Sequence, residues 1–403
     1  MYFDNSWLAI IMQRPIPRYL CCMLNAWKKQ PTIGVLGGGQ LGRMFIEEAS
    51  RYDVHISVLD PQKEASCALL ASSFTVGDFN DYDTVIQWAA DKDIITIEIE
   101  HVNLDALFAL EKMGKKVFPQ PNVLATIKDK GLQKLFYQEH GIPTAPFVLV
   151  DDKNALAHHE SVFPCMQKLR TGGYDGKGVQ ALRSASDLEK AFDAPSVLES
   201  WVDFESELAV MVARNENGQV VTFPPVDMEF NGEANLVEFL FSPSEQSSEV
   251  LVKAEALAVK VAEQLQIVGV LAVEMFVLKS GEVLVNEVAP RPHNSGHHTI
   301  ECCITSQYEQ HLRAILNWPL GDTSIIQPAV MVNLLGEKES HGLAMYEGME
   351  TVLKEKGVYV HLYGKERTSP FRKMGHVTIM DQDIQVAKER ARWVMKTLKV
   401  VGE

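Results

Sequence analysis

The chain has 403 residues, enough for two or three domains. Its 46% hydrophobic and 23% charged residues are typical of a water-soluble globular protein. A net charge of −15 argues against nucleic acid as a partner, because such a surface needs clustered cations. No apolar run reaches the ~18 residues of a membrane span, and the six cysteines form no CxxC pair. We therefore expect a cytoplasmic protein in a reducing compartment, with no membrane partner.

The first thirty residues predict no folded element. The apolar run at 8–12 is too short for a signal-peptide core, and Arg14, Pro15 and Pro17 follow it at once. We interpret residues 1–30 as an N-terminal extension, with Met23 as a possible alternative start.

A strand, a glycine turn, a helix and a second strand follow one another over residues 32–59. The turn, GGGQLG (37–42), satisfies G-x-G-x-x-G, and Asp60 is the acid expected roughly 20 residues later. Alone, the pattern predicts a nicotinamide-dependent oxidoreductase. The signal is weak, because the glycines indicate only that a ligand approaches a helix N-terminus. The residues of that alternative are Gly37, Gly39, Gly42 and Asp60.

A third buried strand over 94–99 has acids near its carboxyl end. Ligands of open parallel sheets bind beyond the carboxyl ends of the strands, so Glu100 and the glycine turn are expected to face one crevice. A strand that simply ends in solvent is the alternative for Glu100. Residues 128–140 then predict one helix, which leads to a domain boundary.

A glycine-rich loop, GGYDGKG (172–178), lies between short predicted strands. Its glycines leave backbone N–H groups available for phosphate, and they flank Lys177. A plain hairpin tip would not need that lysine. The loop therefore predicts a mobile phosphate-binding lid.

Two apolar runs over 268–289 predict a hairpin that carries one acid on each strand. With Ser280 and Gly281 as a two-residue turn, Glu274 falls directly opposite Glu287, roughly 5 Å away at Cβ. Two carboxylates that close repel each other and are costly to desolvate. A divalent cation removes both problems, and Mg²⁺ prefers oxygen ligands. The hairpin predicts a magnesium site, with two solvated rim acids as the alternative.

The amphipathic segment 251–265 predicts a helix packed behind this hairpin. Residues 329–377 predict strands and turns, and a helix over 383–398 is expected to close the chain. Either an anion site or a solvated face would explain the basic cluster in this part of an acidic protein. The cluster comprises Lys354, Lys356, Lys365, Arg367, Arg372 and Lys373.

Four motifs in order carry a resemblance to a known family: GGGQLGRM (37–44), GGYDGKG (172–178), NEVAPRPHNSGH (286–297) and RKMGH (372–376). Together they resemble the N5-carboxyaminoimidazole ribonucleotide synthases of the ATP-grasp superfamily. The resemblance runs from about residue 32 to residue 377, and four motifs in register are far more specific than any one of them.

The resemblance implies a mixed α/β and α+β fold. In this ATP-grasp fold a Rossmann-like parallel-sheet domain comes first, a mobile lid subdomain follows, and a small β-rich domain ends the chain. The extension 1–30 lies outside the resemblance, and the implied divisions are 31–127 (Rossmann-like), 128–202 (lid), 203–328 (catalytic) and 329–403 (substrate phosphate). It also implies ATP- and bicarbonate-dependent carboxylation of 5-aminoimidazole ribonucleotide through carboxyphosphate, with Mg²⁺ or Mn²⁺. A homodimer and hand-over of the product to a mutase are further implications.

The resemblance also assigns site residues. Metal ligands are Glu274 and Glu287. ATP contacts are Lys128, Lys168, Gly173, Gly176, Glu199, Ser200, Trp201, Val202, Glu207 and Asn286. Bicarbonate and carboxyphosphate meet Arg291, His293 and Asn294, under a lid carrying Tyr174, Asp175 and Lys177. The ribonucleotide meets Gln40, Leu41, Glu100, Lys365, Arg372 and Lys373.

Alternatives from other classes explain less of the sequence. The oxidoreductase leaves the lid motif, the acid pair and the basic cluster without a role. A formate- or amino-acid-using ATP-grasp ligase shares the acid pair but not the HNSGH and RKMGH motifs. A non-catalytic nucleotide-binding regulator would not need the acid pair. A zinc pair of His293 and His297 is disfavoured because Gly296 and the nearby prolines spoil a helical i, i+4 geometry.

Overall fold

The structure, a computed structural model, describes residues 31–156, 158–173, 178–231 and 236–403. Within these ranges no helix combines the length and the apolar character that a membrane crossing requires. The fold is mixed: the first sheet is parallel, and the sheets after it are antiparallel.

The N-terminal sheet is parallel, with strand order β3-β2-β1-β4-β5. The order reverses between β1 and β4, so the carboxyl ends of these two strands flank the crevice where such sheets bind ligands. The strands are β1 Ile33–Leu36, β2 Ile56–Asp60, β3 Ser73–Val76, β4 Ile94–Ile97 and β5 Lys116–Phe118. The helices are α1 Gln40–Ser50, α2 Tyr82–Trp88, α3 Leu104–Lys112 and α4 Pro121–Lys128.

The prediction of one helix over 128–140 is wrong, because the chain breaks at Asp129. The helix α4 ends just before this residue, and α5 (Lys130–Glu139) begins just after it. The Asp129 carboxylate accepts hydrogen bonds from the N–H groups of Gly131 and Leu132, at 2.7 and 3.1 Å, which is an N-cap. It also pairs with Arg170, at 2.9 and 2.7 Å. The break starts a new helix at Lys130 and ties it to the next sheet.

A four-stranded antiparallel sheet, called the lid sheet after the predicted lid loop that it carries, has strand order β6-β9-β7-β8. Its elements are β6 Phe147–Val150, α6 Lys153–Leu156, β7 Cys165–Leu169, β8 Val179–Leu182 and β9 Ser196–Ser200. The glycine-rich motif connects β7 to β8, and Tyr174, Asp175, Gly176 and Lys177 lie outside the described residues. The predictions for those four residues therefore stay predictions.

A long antiparallel sheet follows, in the order β15-β14-β10-β12-β13-β16-β20-β18, with β11 beside β10. The helix α7 covers it, and the predicted apolar face of that helix is buried against the β14–β15 hairpin. The sheet runs unbroken across residue 328, because β13 pairs with β16. The elements are β10 Phe204–Arg214, β11 Val220–Thr222, β12 Val226–Asn231, β13 Leu236–Ser242, α7 Ser248–Leu265, β14 Gly269–Leu278, β15 Val283–Ala289, α8 Thr299–Cys302 and α9 Gln307–Ile315.

The last part of the chain adds strands to that sheet and forms a small sheet of its own, β19-β17-β21. The predicted closing helix is not the last element, because β21 follows it and pairs with β17. The elements are β16 Ala329–Leu335, β17 Gly342–Glu347, α10 Met349–Val352, β18 Val358–Leu362, β19 Arg367–Thr368, β20 Lys373–Met380, α11 Ile384–Thr397 and β21 Lys399–Gly402.

Candidate active site

The β14–β15 hairpin pairs Glu274 directly with Glu287, as the sequence predicts. The predicted two-residue turn is wrong: the Leu278 N–H donates to the Glu282 carbonyl at 2.9 Å and closes a three-residue turn. A bulge at Asn286 shifts the ladder by one residue and restores the predicted pairing. Without it, one carboxylate would point to the opposite face of the sheet. The acid pair therefore depends on the bulge.

Lysines from two other elements surround the acid pair. Lys130, the first residue of α5, forms an ion pair with Glu287. Lys168, on β7 of the lid sheet, donates to the Asn286 side-chain oxygen at 2.9 Å and pairs with Glu199, also at 2.9 Å. The bulged residue thus links the hairpin to the lid sheet. Lys130 was absent from the predicted site because its partner lies far away in the sequence.

Glu199 is a buried anion held by two lysines. Its side chain is 5% exposed and contacts Lys168 and Lys134, the latter at 3.2 Å. Burial opposes ionisation, but the two lysines outweigh it and hold the pKa of Glu199 below its ordinary value. Burial lowers the pKa of Lys134 to about 8. Glu199 was predicted only as part of a segment that meets adenine, so this role was missed.

The two facing carboxyls differ in charge. Burial raises the pKa of Glu274, and the facing Glu287 raises it further. The Lys130 ammonium instead holds the pKa of Glu287 well below its ordinary value. The Glu287 side chain remains 41% exposed although it lies deep among protein atoms, so a ligand can reach it. Two carboxylates beside an amide oxygen form a donor set that suits Mg²⁺.

Glu207 adds a third carboxyl to this region. The sequence placed it before a strand at 208–213, but β10 begins at Phe204, and Glu207 pairs with Phe276 of β14. Burial raises the pKa of Glu207 to about 7, and Lys168 opposes the rise. Its position beside the acid pair is compatible with the predicted contact to a ribose.

The loop after β15 connects the acid pair to the first sheet. The Arg291 Nε atom lies 2.8 Å from Glu100 Oε1, and His293 Nε2 lies 3.6 Å from Glu274 Oε1. Glu100 follows β4, so this loop bridges the sheet crevice and the hairpin. Asn294, the third predicted residue of the loop, begins a short 3-10 turn. The predicted site residues of these two regions therefore lie together.

Gln307 fixes the same loop from α9. It accepts from the His293 backbone N–H and donates to the His293 carbonyl, both at 2.8 Å. A Cβ atom on Gly296 would lie 2.5 Å from the Gln307 side-chain oxygen, so the loop requires glycine there. This double hydrogen bond holds the His293 backbone in place.

The glycine turn at the crevice has two acids of its own. Asp60, the acid of the nicotinamide alternative, accepts a hydrogen bond from the Gly38 N–H at 2.7 Å, so its carboxylate is occupied within the glycine turn. Glu98, just after β4, accepts the Leu41 N–H at 3.2 Å. Burial raises the pKa of Glu98 to about 7 against the opposing charge of Arg291. Glu98 was not among the predicted site residues, although its place at a strand's carboxyl end could have indicated it.

Gln40 and Leu41, the predicted ribonucleotide contacts on this turn, are the first residues of α1. Lys128 lies nearby, and its ammonium donates to the Val102 carbonyl at 2.8 Å. Burial lowers the pKa of Lys128, against the charge of Glu100. The structure thus puts Lys128 at the crevice, whereas Lys130, two residues later, reaches the acid pair.

The predicted adenine segment continues from β9 into an open connection. The Ser200 N–H donates to the Pro146 carbonyl at 2.8 Å. The Trp201 ring is 42% exposed, and the Arg183 guanidinium lies 5.0 Å from its centre. Val202 is half-buried. Gly173 is the last described residue before 174–177.

Main-chain carbonyls orient two of the predicted C-terminal cations. Lys365 donates to the Lys373 carbonyl at 2.6 Å, and Arg372 donates to the Arg367 carbonyl, also at 2.6 Å. Burial and the facing Glu287 raise the pKa of Glu274, and the Lys373 charge opposes that rise, so Lys373 lies within electrostatic reach of the acid pair. Two other members of the predicted basic cluster, Lys354 and Lys356, lie instead beyond α10.

A buried stack of rings joins the hairpin loop to the C-terminal cations. His297 contacts His376 at 4.7 Å between ring centres, and His376 stacks on His361 at 4.4 Å. The Tyr363 hydroxyl lies 3.0 Å from His376 Nδ1, and the Tyr308 hydroxyl lies 3.1 Å from His297 Nδ1. Burial lowers the pKa of His297 and His376, which keeps these two rings neutral. The stack therefore sets the spacing between two parts of the site.

Three family models match the chain along its length. Residues 30–128 match a ribonucleotide synthetase preATP-grasp domain, residues 135–308 an ATP-grasp domain, and residues 329–390 a phosphoribosylaminoimidazole carboxylase C-terminal domain.

Relatives of known name and structure agree with these matches. The N5-carboxyaminoimidazole ribonucleotide synthase of Bacillus subtilis is 40% identical over 87% of this chain and 91% of its own. A synthetase structure from Thermotoga maritima has a TM-score of 0.86 and 41% identity, covering 93% of this chain and all of that one.

A third relative was solved with ligands. The synthase from Aspergillus clavatus, in complex with ADP and 5-aminoimidazole ribonucleotide, has a TM-score of 0.83 and 31% identity. The similarity covers 92% of this chain and 99% of that one. Sequence, domain order and fold thus agree over most of the chain. This chain belongs to the N5-carboxyaminoimidazole ribonucleotide synthase family of ATP-grasp proteins.

Proposed function

We propose that the chain carboxylates 5-aminoimidazole ribonucleotide at its exocyclic amine, using ATP and bicarbonate. A bicarbonate oxygen attacks the γ-phosphorus, the bond to the β-phosphate oxygen breaks, and ADP leaves with carboxyphosphate as the second product. The amine then forms a C–N bond to the carboxyl carbon, phosphate leaves, and the amine loses a proton. The carrying observation is that the acid pair, its lysines and the Glu100–Arg291 bridge lie around one crevice.

Glu274 and Glu287 are the proposed ligands of Mg²⁺, which Mn²⁺ can replace. The facing carboxylates and the Asn286 oxygen fit this ion, because a cation relieves the repulsion that raises the pKa of Glu274. When bound, Mg²⁺ neutralises charge on the phosphates during phosphoryl transfer.

The lysines are proposed to hold the ATP phosphates. The Lys168 ammonium donates to Asn286 and pairs with Glu199, and these two contacts fix its position beside the hairpin. Lys130 forms an ion pair with Glu287. If the Glu287 carboxylate held the metal, the Lys130 ammonium could pair with a phosphate oxygen instead. From its position on β10, Glu207 would accept hydrogen bonds from the ribose hydroxyls. The segment 199–202 would contact the adenine.

Arg291 and His293 are proposed to hold bicarbonate and carboxyphosphate. A planar guanidinium matches a planar oxyanion, and Glu100 orients it at 2.8 Å. Gln307 fixes the backbone at His293, so the ring faces Glu274 without reorganising during the reaction. Asn294 follows in the same loop. The lid residues Tyr174, Asp175 and Lys177 are proposed to close over the intermediate and exclude water.

The ribonucleotide is proposed to lie between the glycine turn and the C-terminal cations. Its phosphate would bind Lys365, Arg372 and Lys373, whose cationic groups suit a dianion. Its ribose and imidazole would then face the Gln40–Leu41 turn and Glu100. This placement brings the exocyclic amine toward Arg291, which Glu100 contacts.

The predicted divisions at 31–127, 128–202, 203–328 and 329–403 remain proposals. The family-model bounds support the first and last of them, whereas the unbroken sheet at 328 makes the final boundary one of motif rather than of strand pairing. A homodimer, a cytoplasmic location and hand-over of product to a mutase are proposed from the family resemblance.

The test is ADP release with Mg²⁺, ATP and bicarbonate, with and without 5-aminoimidazole ribonucleotide. We expect the ribonucleotide to stimulate ADP release and ¹³C from labelled bicarbonate to enter it. Formate or an amino acid replacing bicarbonate would contradict the proposed substrate. Tight NAD binding without ATP turnover would favour the oxidoreductase.

A further inference from the structure

A second cluster of metal-ligating side chains lies directly after the loop that carries His293 and Asn294. His298, Cys302 and Cys303 are all buried, and one donor atom from each lies within 4.8 Å of the other two. The two sulfur atoms are 3.7 Å apart and are not joined in a disulfide. These residues lie on or next to α8, and the proposed magnesium site uses none of them.

The spacing of these atoms fits one small cation. Three atoms no more than 4.8 Å apart share a centre within about 2.8 Å of each of them. Zinc binds sulfur at about 2.3 Å and imidazole nitrogen at about 2.0 Å, so movements of a few tenths of an ångström complete the site. The sulfur separation of 3.7 Å already matches the roughly 3.8 Å between two thiolates on tetrahedral zinc.

His298 supplies the second observation. It is 1% exposed, and within the described ranges neither of its ring nitrogens has a hydrogen-bond partner of ordinary geometry. A buried polar group without a partner is costly, so the ring needs one. The Ser295 backbone lies close enough to act on the ring electrostatically, but it forms no hydrogen bond of ordinary geometry with either ring nitrogen. Metal-binding histidines use one ring nitrogen for the ion and donate a hydrogen bond from the other to an acceptor such as a backbone carbonyl.

The charge balance also favours a divalent ion. Two thiolates and one divalent cation sum to zero, so the complex suits the apolar core around Cys302 and Cys303. Without an ion, the hydrogen bond between the Cys302 and Cys303 sulfurs and burial raise the pKa of Cys302, which keeps its thiol protonated. Metal binding to such thiols releases their protons.

We propose that His298, Cys302 and Cys303 bind one thiophilic divalent cation of the Zn²⁺ type. Two S–H bonds lose their protons to solvent as two metal–sulfur bonds form, a neutral imidazole gives the third bond, and water completes the coordination. The ion would fix α8, which directly follows the loop carrying His293 and Asn294. This proposal does not rest on the proposed function.

The test is zinc content after the full chain is incubated with Zn²⁺ and freed of excess ion by gel filtration. We expect about one zinc per chain in the wild type and less than a tenth of that in Cys302→Ala. Co²⁺ in place of zinc should give a sulfur-to-cobalt charge-transfer band, which His298→Phe shifts or removes. An intact wild-type protein without retained zinc would overturn the proposal.

Matched controls separate this site from other thiols. Cys165→Ala removes another buried cysteine, and the double variant Cys21→Ser/Cys22→Ser removes the other adjacent pair in the sequence. Both should keep their zinc, and loss of zinc in either with retention in Cys302→Ala would overturn the assignment. Should Cys302→Ala fail to fold, alkylation of the wild type decides. Zinc should slow modification of Cys302 and Cys303, a chelator should restore it, and unchanged rates would contradict the site.

Discussion

The acid pair and the C-terminal cations are oriented in different ways. Side-chain charges surround the acid pair: Lys130 lies on Glu287, and Lys168 connects to it through Asn286. Main-chain carbonyls accept hydrogen bonds from Lys365 and Arg372, and such a carbonyl fixes the Arg372 cation without cancelling its charge. Removing a charge from the first region therefore disturbs its neighbours, whereas removing one from the second should affect chiefly the anion that it binds. The predictions test this difference.

The largest effect is expected from Glu287→Ala. Loss of a metal ligand removes several kcal/mol of charge stabilisation, and about 4 kcal/mol corresponds to roughly a thousandfold slower ADP release. The fold should survive, because Glu274 already acts on the Lys130 charge and can replace the lost partner. Initial rates at saturating ATP measure the effect. Glu282→Ala, an exposed acid at the same hairpin's turn, should leave the rate unchanged, and near-normal turnover in Glu287→Ala would contradict the metal role.

Glu199→Gln tests the shared lysines. The neutral amide leaves Lys134 and Lys168 without their buried carboxylate, which should cost about 3 kcal/mol of unfolding free energy. The pKa of Glu199 is lowered in the fold, so its contribution is present above the ordinary pKa and lost as pH falls through the lowered one. The difference from the wild type should therefore shrink in acid.

Denaturant unfolding at pH 7 measures the loss of stability in Glu199→Gln, and the same measurement at acidic pH shows whether that loss shrinks. The exposed neighbour Glu205 gives the control, since Glu205→Gln should change stability by less than about 0.5 kcal/mol. Equal stability of Glu199→Gln and the wild type at pH 7 would show that the two lysines do not depend on this carboxylate.

The same contrast explains what the sequence could predict. Strand alternation predicts that Glu274 and Glu287 face each other, and the structure confirms this pairing. The predicted turn was one residue too short, but the bulge compensates for the extra turn residue. Lys130 could not be assigned to Glu287, because 157 residues separate them and no local pattern encodes their contact. The break at Asp129 was missed because an N-cap aspartate and a helix-interior aspartate look alike in a polar stretch.

Arg372→Ala tests the C-terminal cations. Loss of a charge-assisted hydrogen bond to phosphate, about 2 kcal/mol, should raise the ribonucleotide KM roughly thirtyfold and leave the ATP KM nearly unchanged. Substrate-saturation curves for both ligands measure the split. Lys354→Ala removes an exposed cation of the same predicted cluster and should change neither value. A defect confined to ATP would move the cations' role to the nucleotide.

Glu98→Gln tests the acid between the two regions by pH. Burial raises the pKa of Glu98 to about 7, so the wild type loses stability as pH rises from about 4.5 through 7. The variant, which has no carboxyl to ionise, should gain about 3 kcal/mol relative to the wild type over that range. Unfolding curves at pH 5 and pH 8 give the difference. The exposed Glu64→Gln should show no such trend, and a pH-independent difference for Glu98→Gln would contradict the raised pKa.

Tyr363→Phe should have the smallest effect, because it changes only the stack between the two regions. Its hydroxyl lies on His376 Nδ1 at 3.0 Å, so its loss leaves a buried ring nitrogen unsatisfied, at about 1 kcal/mol of stability. If the stack positions the cations, the ribonucleotide KM should rise a few-fold while the ATP KM stays constant. Tyr359→Phe, on the same stretch of chain but 44% exposed, should change neither stability nor KM. Lost stability with an unchanged ribonucleotide KM would make the stack a core feature alone, because the Lys365 ammonium lies 5.5 Å from the centre of the Tyr363 ring, and a ring that positions Lys365 cannot move without shifting the bound phosphate.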